Sequence, residues 1–157
     1  MATETYILLA DQTLGSAPSN LSITGIDQNY QDLVVVVTYK GGNNDAYFKM
    51  NSGTTYYYNE ITGAVSVSAA NSSASRISLK PSSTRVTCAV LNIMNYSDSA
   101  KFKTVLAQIG NTSSANYENI LGAYTNNSNT AVTSVQLENI NDWASGATIR
   151  IYGIAEA

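Results

Sequence analysis

The sequence predicts an all-β chain, a β-sandwich of the jelly-roll type. Three observations point there. Short β-prone runs alternate with turn residues along the whole length of 157 residues. No amphipathic helical stretch of useful length interrupts them. The runs number roughly eight to ten, which suits a sandwich or barrel, and their polar loops favour the jelly roll.

The elements follow in order. Leu21-Ser22-Ile23-Thr24 alternates cleanly between apolar and polar. Asp32 to Tyr39 carries Leu33 and four consecutive valines, the pattern of a strand buried on both faces. On that reading Val36→Asp prevents folding, because it buries an unpaired charge. Gly41-Gly42-Asn43-Asn44-Asp45 reads as a hairpin loop. Ala46 to Met50 places Ala46, Phe48 and Met50 on one side, Ser52-Gly53 is a turn, and Thr54 to Tyr58 is β-prone. Ser68-Ala69-Ala70-Asn71-Ser72-Ser73 reads as a loop. Ser75 to Lys80 alternates, with Ile77 and Leu79 facing one way and Arg76, Ser78 and Lys80 the other, and Pro81-Ser82-Ser83 ends it. Arg85 to Met94 is apolar on both faces, as in a central strand. Phe102, Thr104, Leu106 and Gln108 alternate with Lys103, Val105, Ala107 and Ile109. Thr125 to Asn129 reads as a loop and Ala131 to Leu137 as a strand. Ala147 to Ile154 sets Ala147, Ile149 and Ile151 against Thr148, Arg150 and Tyr152. No linker or repeat divides the chain, so residues 1–157 are expected to form a single domain.

Composition narrows the function. Only 12% of the residues are charged, about half the usual share, so Ser, Thr, Asn, Gln and Tyr must build the polar surface. Such a surface meets a partner without desolvating many charges, which suits assembly. The net charge of −3 and the scattered basic residues from Lys40 to Arg150 argue against nucleic acid. The N-terminus has no signal peptide and no run is long enough to span a membrane, which predicts synthesis in the cytoplasm without a membrane partner.

Catalytic chemistry has little to work with. There is no histidine and one cysteine, Cys88, which removes Ser-His-Asp and Cys-His arrangements and Cys- or His-based metal sites. Cys88 sits in an apolar run and reads as a small buried hydrophobe. Paired carboxylates remain, among Asp27, Asp32, Asp45, Glu60, Asp98, Glu118, Glu138 and Asp142, but most adjoin turn residues, where Asp accepts local backbone hydrogen bonds. Asn43-Asn44-Asp45 offers calcium too few carboxylates and reads as a plain loop. Five Asn-x-Ser/Thr sequons, at Asn20, Asn71, Asn95, Asn111 and Asn126, reflect polar loops in a chain without a secretion signal. No enzyme, cofactor or metal is expected. Tyr56-Tyr57-Tyr58 admits two readings: a strand with aromatic cross-strand pairs, or a contact patch for a partner subunit or a glycan.

Two terminal segments carry a resemblance. The first is Ile26-Asp27-Gln28-Asn29-Tyr30-Gln31-Asp32-Leu33, preceded by Gln12-Thr13-Leu14-Gly15-Ser16. The second is Gly146-Ala147-Thr148-Ile149-Arg150-Ile151-Tyr152-Gly153-Ile154. Together, at the two ends of the chain, they resemble small structural proteins of tailed, marine-type bacteriophages. Where such proteins often carry an Arg-rich strand after the Asp-Leu, this chain has Val34 to Val37. The resemblance implies a jelly-roll sandwich in the virion, either a capsid decoration (cement) protein or a tail-fibre or receptor/glycan-binding domain. A chain that starts at its own methionine and has no fibrous shaft favours decoration. The expected partners are therefore the major capsid protein on the capsid exterior and sister subunits of a homotrimer, with a host surface glycan as a further candidate.

Overall fold

In a computed structural model, twelve strands are found among the described residues, and no helix. Those residues are 5–155, except 17, 42–45, 52, 54, 64–66, 80–85, 113–116, 139 and 141–142. The Asn43-Asn44-Asp45 loop, Pro81-Ser82-Ser83, Arg85 and Asp142 therefore lie outside the described residues, as do the side chains at 67–71, 111–112 and 117–118. The strands are β1 (Tyr6–Thr13), β2 (Asn20–Thr24), β3 (Asp32–Lys40), β4 (Tyr47–Met50), β5 (Tyr56–Gly63), β6 (Val67–Ala74), β7 (Ile77–Ser78), β8 (Val86–Met94), β9 (Thr104–Thr112), β10 (Tyr117–Asn126), β11 (Ser134–Glu138) and β12 (Thr148–Ile154).

They form two antiparallel sheets. The large one runs β1-β12-β3-β8-β9-β10-β5-β6 and the small one β2-β11-β4-β7. One hydrophobic core lies between them, giving a β-sandwich-like, all-β fold. The period of two decides what enters it. Leu33, Val35, Val37 and Tyr39 of β3 point inward, as do Ala89, Leu91 and Ile93 of β8 and Val105, Ala107 and Ile109 of β9. Phe48 and Met50 of β4, with Val135 and Leu137 of β11, meet them from the small sheet. Tyr39 stacks on Trp143, with ring centroids 4.2 Å apart and planes 8° from parallel, and its hydroxyl donates to the Leu79 carbonyl.

Several sequence expectations need correction. The β3 valines are buried on one face only: Val34 and Val36 are partly exposed on the other, because strand alternation sends them away from the core. Cys88 is exposed for the same reason, lying out of phase with its buried neighbours Thr87 and Ala89. Residues 68–73 are not a loop. They belong to β6, which pairs with β5 through backbone groups and so needs no apolar signal. Strand β10 continues to Asn126, into the segment read as a loop, and the strand expected from Ser75 shrinks to Ile77–Ser78. Ala131 to Thr133 precede the strand that was expected to include them. The inward faces of Ala46–Met50, of Lys103–Ile109 and of Ala147–Ile151 are as the alternation predicts.

One inward residue is a lysine. Lys103 is almost wholly buried, and its ammonium donates to the carbonyls of Asp98, Lys101 (2.6 Å) and Asn129 (3.0 Å). Three donors meet three acceptors, which satisfies the group. Burial nevertheless pushes its pKa below the ordinary lysine value. Lys103→Met is expected to destabilise the protein by about 2 kcal/mol, because three loop carbonyls lose their donor. Urea denaturation checks it, and an unchanged midpoint would contradict the assignment.

Candidate interaction surfaces

Alternation splits the three consecutive tyrosines. Tyr56 is fully buried and its hydroxyl accepts the Met50 backbone N–H at 2.9 Å, which ties the large sheet to the small one. Tyr58 is half-buried and faces Tyr124 across β5 and β10, with centroids 5.3 Å apart. Only Tyr57, 59% exposed, stands on the outer surface. The cross-strand pairing is thus present at Tyr58, and a contact surface built from this triplet has Tyr57 as its one fully exposed member.

The buried hydroxyls leave a pH signature. Burial pushes Tyr56 up to about 12. Burial and then the Glu60 carboxylate, which accepts the Tyr124 hydroxyl, push Tyr124 up as well, and burial raises Tyr96. In the unfolded chain tyrosines ionise near 10. Above that pH the unfolded state releases protons that the folded state keeps. The stability these groups contribute is therefore intact below pH ~10 and is lost as pH rises through their folded pKa values. Tyr56 alone accounts for about 3 kcal/mol of that loss. Denaturant midpoints should hold to about pH 9.5 and then fall steeply, with tyrosinate absorbance at these sites appearing only on unfolding. Constant midpoints to pH ~12 would refute this.

The outer face of the large sheet carries several exposed apolar side chains. Strand register lines its residues into two rows. One runs Leu8, Tyr152, Val34, Asn92, Leu106, Ala123, Asn59. The other runs Arg150, Val36, Val90, Gln108, Leu121, Ile61. The second row ends on β1 at Asp11, cross-strand from Arg150 and 3.1 Å from it, and among the described residues this ion pair holds the charges of the two rows. Leu8, Ile61, Leu106 and Leu121 are each at least 40% exposed. A depression of about 340 Å³ opens over Ile61, Leu106 and Leu121. Eight strands about 4.8 Å apart and about 30 Å long give a face of about 1,100 Å². A standard protein interface uses about 800 Å² per partner.

A second surface is a cleft of about 310 Å³ between the two sheets, lined by Tyr47, Tyr58, Glu60, Arg76, Ser78 and Tyr124, with Ala74 and Ser75. Glu60 and Gly122 are cross-strand partners, and the Tyr124 ring lies back over Gly122, which brings its hydroxyl to Glu60. The Arg76 guanidinium lies 3.6 Å from the centre of the Tyr47 ring and 3.8 Å from Glu138, which Lys49 holds at 2.8 Å. Sequence reasoning missed this grouping. Glu60 and Tyr124 lie far apart in the chain, and only the β5–β10 register joins them.

The remaining candidate carboxylates do local work. Asp27 accepts from Asn29, Asp32 from the Asn95 N–H, and Asp98 from the Ala100 N–H. The side chains of Asp45, Glu118 and Asp142 lie outside the described residues. In comparisons with known proteins, no family model, curated protein or solved structure matches the chain.

Proposed function

We propose that the chain is a non-enzymatic structural protein of a phage virion, a decoration (cement) protein on a jelly-roll sandwich. It binds and stabilises the outer face of the major capsid shell as a homotrimer. The observation that carries this reading is the outer face of the large sheet. It is wide enough for a standard interface, mostly uncharged along both rows, and among the described residues its charges, Asp11, Arg150, Asp32 and Lys40, stand at its margins. A partner protein can cover it without stranding charges. The terminal motifs support the virion context. The strand order supports the jelly roll: β1-β12-β3-β8 and β2-β11-β4-β7 interleave early and late strands, as two Greek keys wound together do. On this reading the hairpins β5-β6 and β9-β10 widen the first of those sheets and enlarge the docking face.

Cryo-electron microscopy of the virion tests the proposal. Density for this chain in threefold clusters on the shell is the expected result. Density confined to the tail would overturn it in favour of a tail-fibre or receptor-binding domain. The solution mass should equal that of three chains.

A further inference from the structure

We propose that the cleft between the sheets is a binding site for a neutral saccharide, with Tyr58 and Tyr47 as its apolar walls and Glu60 and Arg76 as its polar contacts. The chemistry of the lining selects this class. Glu60 is a half-buried carboxylate whose described hydrogen bond is the one it accepts from Tyr124, so it keeps acceptor capacity toward the cleft. Arg76 is a pure donor, 42% exposed, with its guanidinium 3.6 Å from the centre of the Tyr47 ring. Carboxylate and guanidinium therefore line one cavity without pairing with each other.

A cationic ligand would meet Arg76 and an anionic one Glu60. A polyol suits both, because each of its hydroxyls donates and accepts. A pyranose also presents apolar C–H faces, and the partly exposed ring of Tyr58 offers the matching surface, while Arg76 covers one face of the Tyr47 ring. Among the lining residues the Ser78 hydroxyl is buried without a hydrogen-bond partner, a further polar group of the cleft. The volume, about 310 Å³, is at the small end of ligand sites and fits one or two sugar rings. This surface is separate from the outer sheet face, so both can be occupied at once.

The test uses the full purified chain and a panel of glucose, galactose, N-acetylglucosamine, maltose and lactose, with glucosamine and glucuronate as charged comparators. Saturation-transfer NMR is read for each. At least one neutral sugar should bind saturably, with Kd of about 1 mM, and more tightly than either charged comparator. Tyr58→Ala should weaken binding at least about tenfold. Glu60→Gln, which preserves shape and can still accept from Tyr124, should weaken it about fivefold with an unchanged melting temperature. Leu121→Asp on the outer face should leave it unaltered. No binding by any neutral sugar up to about 50 mM would overturn the proposal, as would preference for a charged comparator or binding that survives Glu60→Gln. A tail location in the virion map would remove the decoration reading and leave this site standing.

Discussion

Gly153→Ala is expected to cost about 3 kcal/mol and to lower the melting temperature by about 6–10 °C. Gly153 lies on the inward face of β12, and the Tyr30 ring packs directly on its α-carbon. A β-carbon there would stand 2.4 Å from Tyr30 Cγ and 2.6 Å from Cδ2. The atom struck is the root of the ring, so no rotation of the ring about its own axis relieves the overlap. The backbone beside Tyr30 is also held, since its carbonyl accepts the Ser97 hydroxyl at 3.0 Å and the next residue, Gln31, donates to the Ile154 carbonyl at 3.0 Å. Either Tyr30 leaves its seat or β12 shifts against β3, and both expose core. Gly110→Ala is the control. It is also within a strand of the large sheet, yet its nearest neighbour would be an ordinary 3.8 Å away. It should be neutral or stabilise by a few tenths of a kcal/mol. Equal melting temperatures for the two variants would show that Tyr30 is not seated as described.

The same pair shows what was legible in the chain and what was not. Tyr30 and Gly153 both belong to the terminal segments that carry the resemblance, but nothing in either segment says that one covers the other. Period-two alternation was legible wherever a strand has one buried face, as in Ala147, Ile149 and Ile151. It was silent for β6, whose Ser and Ala residues sit at the sheet margin and are ordered by backbone pairing. Strand β10 was missed because Gly122 breaks its apolar pattern, although the glycine is there to seat the Tyr124 ring. The cleft between the sheets was illegible because it is assembled from β4, β5, β6, β7 and β10 with Ser75 and Arg76, and register is what joins the strands. Cys88 misled by composition: its neighbours are apolar, but phase within the strand, not the company it keeps, sends it outward.

Phase also decides the sharpest contrast available in this molecule. Val35→Asp is expected to abolish folding, whereas Val36→Asp, one residue on, is expected to leave a folded chain. Val35 is fully buried between the sheets, where a carboxylate finds no partner. Burying it there costs about 4 kcal/mol or more, a large part of the stability of a domain this size. Val36 is half-buried on the outer face, between Arg150 of β12 and Val90 of β8. An aspartate there gives up about 1 kcal/mol of apolar burial and gains a cross-strand cation in return. The sequence alone made Val36→Asp a folding mutation, because four valines in a row signal two buried faces. A single chain buries only one of them. On the proposed function the second is buried against the capsid shell, so the Val36→Asp chain should fold, melt within a few degrees of the parent, and fail to co-sediment with undecorated shells. A Val36→Asp chain that still binds shells would remove the outer sheet face as the docking surface. One that does not fold would show that this face is part of the core after all.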